Sequence, residues 1–227
     1  MRQLLWIALV FLPAATSAHE FYSTKVSWTR EISRIVFKSC VGCHREGAAA
    51  FSLMTYDEAR PWAKAIKEEV LGRRMPPWGA VKGFGSFEHD RGLSQDEISL
   101  IAEWVEGGAP EGQKTYLPKP PAAPRPPAAK PARFPERVLP SVASRSRMTI
   151  IGIAPRGAVT AGTKVTAELP DGSIEPLIWI VDPTAAVKRE FLFSEPRLFP
   201  AGTRFAVSQS GGSWKLLLPP APAAASR

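Results

Sequence analysis

The 227-residue chain is 44% hydrophobic and 22% charged, ordinary values for one or two globular domains. Its two cysteines, three positions apart, are too few for a disulfide-stapled scaffold. The formal charge of +8 would suit nucleic acid, anionic lipid or an acidic redox partner, yet much of the excess lies in one proline-rich stretch and need not mark a binding face.

Residues 1–18 read as a signal peptide. Arg2 supplies a short positive region, Leu4 to Leu12 an apolar run, and Thr16-Ser17-Ala18 the small residues a peptidase requires. The run is too short to span about 30 Å of hydrocarbon comfortably. The mature chain is expected to begin at His19, in the periplasm or outside the cell, with no transmembrane segment after cleavage. Export also makes nucleic acid an unexpected partner.

Residues 25–110 carry helical patterning. Val26 to Ser39 places Ile32, Ile35 and Val36 on one apolar face. A second helix runs from Tyr56 to Arg74, with a Thr55/Glu58 capping box and an interruption at Pro61. Its stripe is Ala59, Trp62, Ala63, Ile66 and Val70. A third runs from Gln95 to Glu106, capped by Ser94 and Glu97 and stopped by Gly107-Gly108, with Ile98, Ile101, Ala102 and Val105 inside and Trp104 at the edge.

Residues 118–135 hold eight prolines among alanines and cations, the composition of an extended spacer. Beyond them come short β-rich runs: 148–153, 163–169, 174–181, 189–193, 203–208 and 214–218. Pro170-Asp171-Gly172 and Gly211-Gly212 are among the turn signals between them. The expected architecture is α + β in two domains. Residues 19–117 form a helical domain, 118–136 a linker, 137–219 an antiparallel β-sandwich, and 220–227 a disordered tail.

Cys40-Val41-Gly42-Cys43-His44 is the strongest signal. Two thiols at this spacing can each add to one haem vinyl group, with the adjacent histidine under the iron, so the motif reads as attachment of one covalent haem c. A zinc site would need four ligands, and only His19 and His89 remain to join these three. A redox dithiol would want a thioredoxin-like setting, and a plain disulfide would leave His44 without a role.

On these residues the chain, over about 25–110, resembles class I-like c-type cytochrome domains. The resemblance implies an all-α cytochrome c fold and a distal methionine in a loop. Met75, followed by Pro76-Pro77-Trp78, matches that context, and the implied iron ligands are His44 and Met75. A thioether would raise the potential relative to a second imidazole, and two filled positions would let the iron change valence without bond chemistry. Alternatives for the sixth position are His89, Met54, the N-terminal His19, or an open site. Phe51, Trp62, Trp78 and Phe84 are candidate walls for the macrocycle, and Arg73 and Arg74 candidate propionate partners.

The segments Phe51-Ser52-Leu53, Tyr56 to Ala63, Arg74 to Trp78 and Gly107 to Gly112 resemble a bacterial cytochrome group often fused to domains like copper type II ascorbate-dependent monooxygenases. Ile150 to Pro155, Leu169 to Gly172 and Glu195 to Thr203 are similar to the C-terminal β-domain of those enzymes. The copper histidines of that family are missing: the matching stretch reads Ala154-Pro155-Arg156-Gly157-Ala158-Val159, and no histidine follows His89. Copper is therefore not expected there. The expected function is electron transfer to an unidentified redox partner protein, with the β-domain for docking or stability and no catalytic residues. The alternatives are a redox subunit, a haem enzyme of peroxidase-like type or one associated with a copper monooxygenase, and a haem sensor.

Overall fold

The computed structural model describes residues 25–122, 134–187, 189–209 and 212–220. The expected signal peptide, His19, most of the proline-rich linker and nearly all of the tail lie outside them. The chain is α + β, with helices in the first half and two antiparallel sheets in the second. Among the described residues no helix is long and apolar enough to cross a membrane.

The first helical segment opens with a wide π-turn, Trp28–Ile32, and tightens into α1, Ser33–Ser39. The Glu31 and Ile32 amides both reach the Ser27 carbonyl, at 3.1 and 3.3 Å. Helix α2, Tyr56–Ala59, starts on the expected Thr55/Glu58 box. Pro61 then imposes one 3₁₀ turn, Arg60–Trp62, before α3, Ala63–Leu71. Helix α4 covers Gln95–Glu106, with both halves of its Ser94/Glu97 box formed. The apolar faces meet in one core built on Trp28, Ile32, Val36, Ala59, Ile98, Ile101 and Trp104. Trp104 is not at the edge, as its place on the helical wheel suggested. It is fully buried, its centroid 6.1 Å from Trp28, and its Nε1 donates to the Pro110 carbonyl at 3.0 Å. A large ring with one satisfied polar handle is cheap to bury, so it takes the centre of the crossing.

The second half forms two sheets. Strands β1 (Glu136–Val138), β7 (Ser213–Leu217), β2 (Met148–Arg156) and β5 (Phe191–Phe199) lie side by side in that order. Strands β4 (Ile174–Trp179), β3 (Lys164–Glu168) and β6 (Arg204–Val207) make the other. Residues of both sheets share a core that includes Ile150, Ile153, Leu177, Ile178, Phe191, Phe199 and Leu216. A short helix α5, Pro183–Ala186, is capped by the Asp182 side chain. β1 carries no alternating apolar pattern, which is why the sequence did not announce it; all three of its residues are exposed.

The two cores do not divide at the proline-rich stretch. Trp78, Ala80 and Phe87 precede it by tens of residues and belong to the β core. The segment 79–88 runs along both sheets. The Val81 amide donates to the Trp179 carbonyl and the Val181 amide to the Gly79 carbonyl, each at 2.9 Å, at the end of edge strand β4. The Glu88 amide donates to Leu192 at 2.8 Å and Ser194 to Ser86 at 3.0 Å, on edge strand β5. This one segment therefore covers two strand edges that would otherwise present unpaired amides and carbonyls. Two glycines allow so close a run. Gly79 (φ 90°) and Gly85 (φ 91°) hold left-handed backbone, and a Cβ would sit 2.7 Å from the Ala186 nitrogen at the first and 2.3 Å from the Leu177 oxygen at the second.

Candidate functional site

At the end of α1 the Cys40 amide closes on the Val36 carbonyl at 2.8 Å. The Cys43 and His44 amides then fold back onto the Cys40 carbonyl at 3.1 and 3.0 Å. One tight turn thus holds both thiols and the imidazole. Both cysteines are free. Cys40 packs against the helical core, and its burial, with the negative charges of Glu97 and Cys43, pushes its thiol up to about 12. At neutral pH it is a neutral thiol. Such a thiol is a poor nucleophile in disulfide exchange.

His44 is fixed by the loop that follows it. The Ala50 amide donates to Cys43 at 3.0 Å and the Leu53 amide to His44 at 3.1 Å, which curls the loop back under the imidazole. His44 Nδ1 lies 3.1 Å from the Phe51 carbonyl. A carbonyl can only accept, so Nδ1 carries a proton; in the neutral ring Nε2 then keeps the lone pair, the tautomer an iron ligand requires. The Phe51 ring stands edge-on to His44 at 4.9 Å and stacks on Trp62 at 4.5 Å. Phe51 and Trp62 are each 47% exposed, an apolar face left open beside the imidazole.

Met75 follows from the opposite end of α3. That helix has nine residues, about 13 Å of rise, and starts beside Trp62. Arg73 stops it by adopting a left-handed conformation (φ 53°), and the Arg74 and Met75 amides return to the Glu69 carbonyl at 3.0 and 3.3 Å. The Met75 side chain is 42% exposed and borders a small cavity shared with Val70, Trp78 and Leu93. The turn 40–44 and Met75 are joined through Phe51, Trp62 and α3; no direct contact between His44 and Met75 is formed among the described residues.

The other candidates sort themselves by packing. Met54 is packed against the helical core. His89 is exposed on the turn after the Phe87–Phe193 bridge, on the β side of the molecule. Trp78 is buried in the β core, edge-on to Phe191 at 5.2 Å, and Phe84 meets Trp179 at 5.8 Å, so of the four expected aromatic walls only Phe51 and Trp62 flank His44. Arg73 donates to Gln95 at 2.8 Å and Arg74 grips the Glu69 carboxylate with two bonds of 2.9 Å. Both expected propionate partners are therefore engaged elsewhere. Sequence reasoning overlooked Arg189, which reaches the Met75 loop from the β half; nothing in its local sequence distinguishes it from a surface arginine.

The donor set fits a covalently held haem. Cys40 and Cys43 could form the two thioethers, His44 Nε2 could ligate the iron, and Phe51 and Trp62 could lie against the macrocycle. Among the described residues no group of three or more His, Cys, Asp and Glu side chains converges as a metal-binding cluster, so Cys40, Cys43 and His44 are not arranged as a ready-made zinc site. Set against protein-family models, curated proteins and solved structures, the chain matches none of them.

Proposed function

We propose that this chain is an exported monohaem c-type cytochrome that acts as an electron carrier, its helical half folded as a cytochrome c domain and its β half non-catalytic. The observation that carries the reading is the state of His44. A tight turn holds the imidazole beside two free thiols, the Phe51 carbonyl fixes the Nδ1 proton, and Nε2 is left as a donor. Few other roles need all three at once.

A bound haem would supply one reversibly exchanged electron. The chain's own residues do the rest. Cys40 and Cys43 anchor the group, so it is not lost outside the cell. The Phe51 carbonyl keeps His44 in one tautomer and one orientation through both oxidation states. Phe51 and Trp62 exclude water from one flank, which favours the less charged, reduced centre. Met75, on the loop that follows α3, would offer a soft thioether for the sixth position. With His44 and Met75 both holding the group, small ligands would be kept from it.

The test is an optical spectrum of the protein exported in a haem-attaching host, oxidised and reduced, with and without carbon monoxide. The expected result is a low-spin c-type spectrum, a weak near-infrared methionine-to-iron band in the oxidised form, and no response of the reduced form to carbon monoxide. Met75→Ala should keep the covalent haem and abolish the band. High-spin iron that binds carbon monoxide readily would replace the carrier with a haem enzyme or sensor.

A further inference from the structure

The loop that presents Met75 is held from the β half. Pro77 carbonyl accepts a hydrogen bond from Arg189 Nη2 at 2.7 Å, and the Arg189 guanidinium lies 5.4 Å from the centre of the Trp78 ring, within cation–π range. The Gly79 carbonyl takes the Val181 and Asp182 amides at 2.9 and 3.3 Å. Trp78 itself is only 6% exposed. Arg189 is placed with care. Asp182 caps α5 by accepting from the Thr184 and Ala185 amides at 3.0 and 3.2 Å, and the Arg189 amide closes the following turn on the Ala186 carbonyl at 2.9 Å.

No carboxylate pairs with Arg189 among the described residues. Its Nε is buried without a partner, and desolvation together with the nearby charge of Arg91 lowers its pKa, against a smaller opposing effect of Cys43. The guanidinium is thus half-buried, one edge turned to a carbonyl and one face to an indole.

We propose that Arg189 is a positioning residue for the sixth iron ligand: it clamps the Met75-Pro76-Pro77-Trp78 loop to the β-domain, which makes that domain part of the haem site. The proposal rests on the reading of Met75 as the distal ligand. The β half is then retained because it holds the loop closed, and anything that loosens the turn after α5 frees Met75 from the iron.

The experiment uses the full chain, exported and haem-loaded, in four forms: unaltered, Met75→Ala, Arg189→Ala and Arg189→Lys. Covalent haem content, the methionine-to-iron band, the rate of carbon monoxide binding and the melting temperature are measured on each. Arg189→Ala should retain its haem and fold while the band weakens and carbon monoxide binding speeds up by about tenfold or more, the scale of losing one charge-assisted hydrogen bond. Arg189→Lys, which keeps a cationic donor, should recover most of the band. An unaltered band in Arg189→Ala, in a protein whose own band depends on Met75, overturns the clamp and leaves the carrier reading standing. Absence of the band from the unaltered protein overturns the His/Met reading, and the clamp with it. Should Arg189→Ala not fold, Arg189→Met, which keeps the stem without the donor, takes its place: a folded protein with a weakened band and faster carbon monoxide binding supports the clamp, while an unchanged band, or failure of this variant to fold as well, assigns Arg189 a purely structural role.

Discussion

The helical and β halves of this chain solve opposite problems. The helical half leaves Phe51, Trp62 and Met75 each more than two-fifths exposed around a turn crowded with chemistry. The β half closes over a core in which Ile150, Ile153, Leu177, Phe191, Phe199 and Leu216 are fully buried, and it offers no comparable group of reactive side chains among the described residues. The first half therefore sets an open apolar surface beside free thiols and an oriented imidazole, whereas the second closes its apolar residues into a core. The segment 76–88 joins the two, being continuous with the first in sequence and with the second in packing.

Four changes would break or sharpen that contrast. The largest effect is expected from Cys40→Ala with Cys43→Ala, which should abolish covalent haem altogether, seen as loss of haem from the denatured chain. The β half should fold regardless, because its core needs no cofactor. Phe87→Ala should destabilise the β half by about 3–5 kcal/mol in chemical denaturation, although Phe87 lies on the helical side of the linker, because it empties a site stacked on Phe193 at 5.6 Å and packed against Phe191. A β half indifferent to this change would mean that the segment only rests on it.

Glu58→Gln should cost the helical half a few tenths to about 1 kcal/mol by weakening the box that starts α2, read as a shift of its denaturation midpoint. Glu97→Gln should cost a similar amount at α4, with a pH signature. Burial acts to raise the Glu97 pKa, but the Lys38 hydrogen bond, the Ser94 amide and the charges of Lys38 and Lys82 outweigh it and hold the group below its ordinary 4.5. A depressed pKa contributes stability that is complete above the unfolded value and lost as pH falls through the folded one. The stability difference between the unaltered protein and the Glu97→Gln variant should therefore be full near neutral pH and close as the pH falls through and below the ordinary glutamate range, in melting curves taken across that range.

The helical half was the more legible in sequence because its signals are local. Two capping boxes, Pro61 and Gly107-Gly108 each act within one helical turn, and α4 spans the residues its pattern marked out. The attachment motif is local too, since Cys40, Cys43 and His44 are placed by hydrogen bonds among near neighbours. The β runs were visible as apolar patches, but their ends shifted. β5 extends to Phe199 through Pro196, a proline tolerated because that stretch lies on an edge strand.

What the residues settled alone, then, was the helices, the approximate strands and the tight turn at Cys40 to His44, all products of short-range geometry. Only the tertiary structure could decide that Trp104 is central, that Trp78 and Phe87 belong to the β core, that Arg73 and Arg74 are engaged elsewhere, and that Arg189 grips the Met75 loop. Each depends on partners that the local pattern does not name. Burial and hydrogen bonding are settled by whatever surface the rest of the chain brings, and a local pattern carries no record of that surface.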